Sequence, residues 1–219
     1  GKPKLLTPGA HDEHSIDWRA GEEIVFLSNH EPDPDARLNY DIFAVHAKTG
    51  QIRQITRTQG VELNPRISPD GRKVAYSATT RKITTIDSIA EDDHVWTVPM
   101  TGGVGQELNP TLDRRTSGVM WTAKGETVYT AQDHGRTLLL RGIERLLQDE
   151  AMAGDPVEYG DRLYFSRGDA LHAREIWSWG NGELRQETHL NDSLVAEWQL
   201  SKPEKLSFKS FDGAVVEGW

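Results

Sequence analysis

Hydrolysis by a serine nucleophile would need a Ser on a sharp turn between small residues, with Asp and His supplied by later loops. The chain has twelve Ser residues, and none of them stands in a Gly-x-Ser-x-Gly sequence. Ser166 and Ser178 each have a Gly two residues later, but Tyr164 and Ile176 fill the other flank. Both serines lie in alternating sequence that is typical of strands. No hydrolysis is therefore expected from this chain alone.

The sequence His11-Asp-Glu-His14 is the densest group of residues that could bind a metal ion. A metal site would need these side chains on converging faces of the fold. They fall in the loop that joins an outer strand to the next inner strand, so a solvated loop is favoured over a metal site. The chain has no Cys, which excludes disulfides, thiolate catalysis and zinc sites built on Cys. No metal and no cofactor is predicted.

The tripeptide Arg167-Gly168-Asp169 has the sequence of an integrin-recognition motif. It falls at a predicted turn between two strands, where Gly and Asp are common for conformational reasons. A chance match is therefore the favoured interpretation.

The composition describes an acidic, globular chain with a net charge of −9 and a pI near 5.4. Nucleic acids and anionic membranes are bound by clustered Lys and Arg, so neither is an expected partner. No apolar run approaches the roughly 20 residues of a membrane-spanning helix. Seven Trp residues favour a packed core. The compartment, cytoplasmic or periplasmic, stays open.

One short phrase recurs along the chain: Gly, a few mixed residues, Leu or Ile, then Thr. Gly1–Thr7 aligns without gaps on Gly50–Thr56, a shift of 49 residues. Gly182–Thr188 repeats the phrase, and Gly103–Asn109 is a weaker copy. Self-similarity at such a period indicates a fold built from repeated units.

A second phrase follows after a variable loop, and its clearest copy is Ile67–Ser77. Its centre, Ser68-Pro69-Asp70-Gly71, predicts a tight turn, because Pro presets φ and Gly tolerates φ > 0. An apolar strand enters this turn and an alternating strand leaves it, which predicts a hairpin. Degenerate copies of the phrase are Trp18–Ser28, Trp121–Thr130 and Val157–Ser166.

A third alternating segment lies between the two phrases, so each repeat has four predicted strands. Four strands in about 36 to 54 residues is the pattern of a propeller blade. We predict an all-β fold, a partial β-propeller of about four four-stranded blades, with an orphan N-terminal strand at Lys4–Thr7. The repeats begin near Ser15, Asn64, Ser117 and Asp155.

Two alternatives to this architecture stay open. A β-sandwich also has short strands at regular spacing, although it leaves the 49-residue shift unexplained. Residues 138–153 have apolar side chains at helical spacing, so a helix there competes with the strands of a decayed third blade.

The phrase Ser68–Gly71 with Val74–Ser77 resembles the repeat of TolB-like propellers, which also occurs in the prolyl oligopeptidase family of serine peptidases. Pro203–Trp219, with its Asp212-Gly213 hairpin turn, resembles the segment in which dipeptidyl and acylaminoacyl peptidases pass from propeller to α/β-hydrolase domain. Thr188–Leu194 resembles the phrase before that linker. The resemblance implies a partial propeller at 1–200 and, at 201–219, a linker and the first hairpin of a hydrolase domain that these residues lack.

This resemblance implies a propeller that gates and selects oligopeptide substrates for a serine peptidase. Its expected partners are the C-terminal hydrolase domain of the same parent chain and the oligopeptide. The alternative is a TolB-like propeller that acts as a protein-interaction scaffold without any hydrolase. A Gly-x-Ser-x-Gly sequence encoded after Trp219, with later Asp and His, would decide between them.

Three adjacent acidic residues, Glu91, Asp92 and Asp93, are the candidate substrate-binding residues. Aminopeptidases of the resembled family hold the free amine of the substrate with propeller carboxylates, which implies that role here. The run ends the connection Thr79–Asp93, on the same predicted face as Asn29–Asn39. A solubilising loop is the ordinary interpretation of such a run.

The two ends of the chain pose a pairing problem in this interpretation. Lys4–Thr7 would be the outer strand of a blade whose other strands precede it, and residues 206–219 would lack the sheet they join. Unpaired strand edges promote aggregation. We therefore predict that at least one end pairs with another strand edge, and that self-association through open blade edges can occur.

Overall fold

The computed structural model describes residues 2–19, 21–79, 81–84 and 91–219. Strands dominate this part of the chain, and the one α-helix found there, α1 (Asp192–Glu197), has six residues. No helix among the described residues has the length and apolarity that a bilayer crossing requires. The predicted all-β class is confirmed.

The strands form antiparallel meanders of four, and a parallel pair at Thr137 and Met152 joins the last two meanders in one eight-stranded sheet. Blade one consists of β1 (Glu13–Asp17), β2 (Glu23–Ser28), β3 (Asp41–His46) and β4 (Ile52–Gln54). Blade two consists of β5 (Glu62–Ile67), β6 (Lys73–Thr79), β7 (Asp93–Pro99) and β8 (Gln106–Glu107). The fourth strands are short, which leaves little exposed edge for pairing with other chains.

Two further meanders follow. Blade three consists of β9 (Thr116–Trp121), β10 (Thr127–Asp133), β11 (Arg136–Arg141) and β12 (Glu144–Arg145). Blade four consists of β13 (Met152–Tyr159), β14 (Arg162–Gly168), β15 (Glu175–Gly180) and β16 (Glu183–Gln186). The predicted count of four blades is confirmed, and each blade begins within three residues of its predicted start.

Two compact units share the chain. The first comprises Gly1–Ala131 and Leu139–Leu146, and the second comprises Gln132–Leu138 and Leu147–Trp219. The turn between β10 and β11 therefore belongs to the second unit, together with blade four and the residues after it.

The second strand of every blade buries one aromatic side chain at the same register position. These residues are Phe26, Tyr76, Tyr129 and Phe165, and none is more than 3% exposed. Each such ring contributes roughly 2 kcal/mol or more to folding. In the first unit, an apolar cluster joins blades one and two; its members include Val25, Leu27, Ile42, Ala44, Ile67, Val74 and Val98.

A bulge interrupts the first strand of every blade. The register shifts between His14 and Asp17 in blade one, and equivalent shifts occur in β5, β9 and β13. The second residue of each bulge has a left-handed φ; these residues are Ser15 (52°), Asn64 (50°), Gly118 (67°) and Asp155 (52°). Gly, Asn and Asp are the residue types that tolerate this conformation best. The bulge therefore marks the start of each repeat.

The recurring Thr of the first sequence phrase extends the sheet beyond the fourth strand. Thr56 Oγ1 accepts a hydrogen bond from the Ile42 N–H at 2.8 Å. Thr188 Oγ1 accepts one from the Ile176 N–H at 2.9 Å. A hydroxyl is needed because the third strand still presents an N–H where the fourth strand has ended.

The two turns singled out by sequence are both closed by backbone hydrogen bonds. Gly71 N donates to Ser68 O at 2.9 Å with φ +71°, and Ser68 Oγ donates to Asp70 Oδ1 at 2.6 Å. Gly213 N donates to Ser210 O at 3.0 Å with φ +85°. Asp212 Oδ1 accepts from Ala214 N at 3.0 Å, as Asp side chains do in such turns.

Residues 138–153 form strands, and the alternative helix is absent from this described segment. β11 carries three consecutive buried leucines, Leu138 to Leu140, so both faces of the strand are covered. Leu146 and Leu147, just after β12, are buried as well. Burial on both faces produces an apolar spacing that imitates a helix.

The predicted orphan strand at Lys4–Thr7 is wrong. These residues form no strand; the Lys4 ammonium donates to Lys48 O at 2.7 Å, and the Leu6 side chain packs on the Phe26–Phe43 cluster of blade one. Pro3 and Pro8 on either side lack the N–H that a ladder requires.

Within the described chain, neither end pairs with another strand edge, and pairing with a second copy stays a prediction. β17 (Leu206–Lys209) and β18 (Val215–Gly218) pair only with each other, as a two-stranded sheet. Side chains rather than a backbone ladder hold this hairpin, as shown below.

Candidate functional site

The predicted acidic run divides into one structural residue and two that face solvent to different degrees. Asp93 is the first residue of β7 and is 5% exposed; its Oδ1 lies 3.0 Å from Arg115 Nε. Burial raises the pKa of Asp93, and the Arg115 charge opposes that rise. Glu91 is half-buried and Asp92 is exposed. The preceding residues 85–90 of this connection lie outside the described part.

The matching insertion of blade one, residues 29–39, is a loop organised by its first residue. Asn29 is 6% exposed, and its Nδ2 donates to Arg37 O at 2.5 Å and to Pro34 O at 3.3 Å. Its Oδ1 accepts from Glu31 N at 3.0 Å. The Glu31 carboxylate accepts from Arg37 and Asn39. Asn29 and Glu31 therefore give this loop a defined shape beside the start of β3.

Sequence reasoning missed a buried carboxyl pair next to this loop. Glu62, the first residue of β5, is 0% exposed, and burial is the main reason that its pKa is raised to about 8. Thr56 Oγ1 donates to it at 3.1 Å and Thr58 Oγ1 at 2.5 Å. The protonated carboxyl also hydrogen-bonds Asp41, whose pKa is raised by burial too.

Asp41 connects this pair to the neighbouring strands. Its Oδ2 accepts from Gln54 Nε2 at 2.7 Å, and its Oδ1 accepts from Thr58 N at 3.3 Å. The only sequence signal for the pair was an acidic residue, Glu62, between the apolar residues Val61 and Leu63. Through these hydrogen bonds the pair stabilises the connection between β4 and β5, so its role is structural.

Two clefts flank this connection in the first unit. One, of about 650 Å³, is lined by residues that include Glu31, Asn39, Thr58 and Lys82. The other, of about 440 Å³, lies between Thr56, Tyr76, Trp96 and the glycine-rich loop 101–105.

The histidine group does not converge as metal ligands would. His11 stacks on His30 with ring centroids 3.8 Å apart and planes 19° apart, and His30 lies against Phe43. Parallel rings direct their nitrogen lone pairs side by side rather than to one point. Burial, and next the charge of His11, lower the pKa of His30. The described residues contain no group of three or more His, Asp or Glu side chains placed to hold a metal ion.

The integrin-like tripeptide is used inside blade four. The Arg167 guanidinium lies 4.4 Å from the Trp177 ring centroid and pairs with Asp149 at 2.6 Å. Asp169 accepts hydrogen bonds from Leu171 N and His172 N. Because Arg167 is committed to Trp177 and Asp149, the tripeptide is not presented for recognition.

The two serines with a nearby Gly are strand residues, as predicted. Ser166 Oγ donates to Gly154 O at 3.3 Å. Ser178 is 0% exposed and bonds to Arg162 Nε at 2.8 Å and to the Glu187 carboxylate. An arginine and a carboxylate leave Ser178 without the histidine base that a nucleophile needs.

A third cleft, of about 880 Å³, lies within the second unit. Its walls come from the β10–β11 turn, the connection before β13, the loop after β14, residues 202–205 and Trp219. Arg136 is held there by Asp133 at 3.1 Å and by Glu150. The charged side chains of this cleft are thus largely paired with one another.

The blades define the class of this chain as a β-propeller portion, and comparison with solved structures agrees. No protein-family profile and no curated protein matches the chain. The acylaminoacyl peptidase of Pyrococcus horikoshii matches with a TM-score of 0.73 and 18% identity, over 93% of this chain and 31% of its own length. The chain thus spans about a third of that peptidase.

A TolB structure and the propeller domain of a protease are also similar. TolB from Acinetobacter baumannii matches with a TM-score of 0.61 and 15% identity, over 85% of this chain and 46% of its own. The propeller domain of the trilobed protease from Pyrococcus furiosus matches with a TM-score of 0.64 and 16% identity, over 84% and 54%. Identities this low show the fold, and the fold is that of these propellers.

Proposed function

We propose that this chain is the propeller portion of a serine peptidase of the prolyl oligopeptidase family, where it restricts and selects the oligopeptides that reach the catalytic serine. The coverage of the structural matches carries the proposal. The peptidase match covers 93% of this chain, whereas TolB and the isolated propeller domain cover 85% and 84%. The difference, 8 to 9% of 219 residues, is about 18 to 20 residues and is shorter than the segment 187–219 that follows the blades.

The chemistry of the described residues supports a selecting rather than a cleaving role. The strand serines have no histidine base, so the nucleophile must come from another part of the parent protein. The blades contribute rigid walls and loops at the ends of their strands. A rigid wall discriminates by size, because a folded protein cannot enter a gap that admits an extended peptide.

Glu91 and Asp92 are proposed to bind the substrate amine. They end the loop between the second and third strands of blade two, and the loop organised by Asn29 is the equivalent loop of blade one. Asp92 is exposed to solvent. An exposed carboxylate attracts an ammonium group only weakly in water. The attraction becomes stronger when the bound substrate excludes water from the two charges. Asp93 contributes by fixing the end of the loop through Arg115.

The alternative function is a TolB-like interaction scaffold without any hydrolase. The TolB match favours it, although that match covers less of the chain than the peptidase match does. A peptidase requires a catalytic Ser, Asp and His elsewhere in the gene product, whereas a scaffold requires none of them.

The deciding experiment uses the whole gene product that contains these residues. A fluorophosphonate probe should label one Ser in a Gly-x-Ser-x-Gly sequence, and the protein should cleave short peptides but spare long unfolded chains. Asp92→Asn should lower kcat/KM for free-amine peptides several-fold relative to acetylated ones, with Asp113→Asn, another exposed Asp, as the matched control. A gene product without a probe-reactive Ser would instead establish the scaffold function.

A further inference from the structure

The β17–β18 hairpin depends on side-chain contacts for its position. It has no ladder with any other described strand, and most of its apolar side chains are exposed; these include Leu206, Phe208, Val215 and Val216. An isolated two-stranded hairpin is marginally stable in water. Whatever fixes this hairpin must therefore act through the few groups that touch the rest of the second unit.

The first such group is Glu217 on β18. One of its carboxylate oxygens, Oε2, accepts a hydrogen bond from His134 Nδ1, and Oε1 lies 2.8 Å from Lys205 Nζ. His134 Nε2 lies 3.5 Å from Asp133 Oδ1, and Asp133 in turn pairs with Arg136. Glu217 thus connects the β10–β11 turn, 83 residues earlier in sequence, to the start of the hairpin.

The second group is the Trp219 ring, which lies on Gly135. A Cβ at position 135 would stand 2.7 Å from two atoms of that ring, closer than real Cβ contacts occur. Gly135 also has φ +75° and His134 has φ +46°, the two positive values of a type I′ hairpin turn. The turn therefore presents a flat backbone surface that accepts an indole ring.

We propose that the His134–Gly135 turn is a docking surface that latches the β17–β18 hairpin through Glu217 and Trp219. Where the proposed function holds, the hairpin leads into the catalytic domain, and the latch fixes the orientation in which that domain leaves the blades. His134 and Glu217 are positioning residues in this role. The latch itself is a property of the 219 residues and can be tested without any peptidase activity.

Amide hydrogen exchange on the full chain tests the ionic half of the latch. Glu217→Gln and His134→Asn should each speed exchange in β17 and β18 roughly three- to fivefold while β13 to β16 keep their rates. The double variant should exchange no faster than the faster single variant, because both changes remove one contact. Glu204→Gln, at an exposed position, is the matched control. Unchanged hairpin exchange in both single variants would overturn the proposal.

Replacement of Gly135 tests the aromatic half. Asn accepts a left-handed φ, so Gly135→Asn keeps the turn but inserts a Cβ under the Trp219 ring. Hairpin exchange should rise roughly tenfold, as for Trp219→Ala. Gly182→Asn is the matched control, because Gly182 has φ +76° in a similar turn after Asn181 and its Cβ would meet nothing within 4 Å. Equal effects of the two Asn variants would show that the turn, and not the docking, had been disturbed.

The parent protein separates this inference from the proposed function. If the parent is a peptidase, Gly135→Asn should change kcat/KM for long peptides more than for dipeptide substrates, with Gly182→Asn unchanged. Equal effects on both substrate lengths would overturn the orienting role. If the parent proves inactive toward peptides, the proposed function fails, while the exchange results still decide whether the latch exists.

Discussion

Glu62 keeps its proton in the folded chain because its carboxyl is removed from water at the start of β5. The unfolded chain releases that proton near the ordinary pKa of 4.5, and the folded chain releases it near 8. Between these values the native state binds more protons, so unfolding becomes easier as pH rises. The free energy of unfolding falls by at most about 1.4 kcal/mol per pH unit between these two pKa values.

Glu62→Gln should remove this dependence. An amide cannot ionise and can still hydrogen-bond to Thr56 and Thr58, so the variant should gain stability relative to the parent as pH rises from 5 to 8. Urea midpoints at several pH values measure this, with Glu197→Gln, an exposed helix residue, as the control. Parallel pH profiles for the parent and Glu62→Gln would contradict a protonated Glu62.

Individual site residues were the hardest part to predict from the sequence. The sequence predicted Glu91, Asp92 and Asp93 together as substrate-binding residues. In the structure, Asp93 is a strand residue that forms an ion pair with Arg115. Glu62 stands alone between apolar neighbours, and its partner Asp41 is 21 residues earlier. Burial of a charged group depends on which strands become neighbours, and local sequence does not contain that information.

At the scale of elements, the four first-strand bulges repeat one backbone feature with different residues. Asn64 has φ +50° inside β5, where a β-branched side chain would crowd its own backbone. The bulge breaks the ladder between Leu63 and Arg66 and so separates the two halves of the strand.

Asn64→Val should therefore destabilise the chain by roughly 1–3 kcal/mol, and Asn64→Gly should change its stability by less than about 1 kcal/mol. Thermal or urea unfolding of the two variants measures the difference. Arg66→Val, in the same strand but past the bulge, controls for the general effect of Val on β5. Similar losses for Val and Gly at position 64 would show that the side chain, and not φ, matters there.

The blades also differ on equivalent faces. In blade one, the face that packs toward blade two is aliphatic at Val25, Leu27, Ile42 and Ala44. The register places Tyr164, Ser166, Ile176 and Ser178 at the same positions of blade four. Ser178 is tied to Arg162 and Glu187, and Ile176 is 43% exposed. This face of blade four is therefore more polar than its equivalent in blade one, because β14 and β15 each place one Ser on it.

At the scale of the whole molecule, the repeat was predictable and the ends were not. Turn chemistry such as Ser68–Gly71 and period-two alternation are local, so they predicted four blades and placed their strands. Lys4–Thr7 matched the sequence phrase of an outer strand, but a strand forms only beside a partner, and the phrase carries no information about one. The hairpin was predicted from Asp212-Gly213, whereas its contact with His134 joins positions 83 residues apart.

The left-handed bulge residues are separated by 49, 54 and 37 positions, from 15 to 64, 64 to 118 and 118 to 155. The loops absorb these differences in length, while the dihedral angle recurs unchanged. Ser, Asn, Gly and Asp are four unrelated letters to a method that scores residue identity. All four nevertheless have the same left-handed φ, which Gly, Asn and Asp tolerate best. A chain whose repeats share backbone dihedral angles rather than residue types can thus share a fold with a peptidase at 18% identity and still match no family profile.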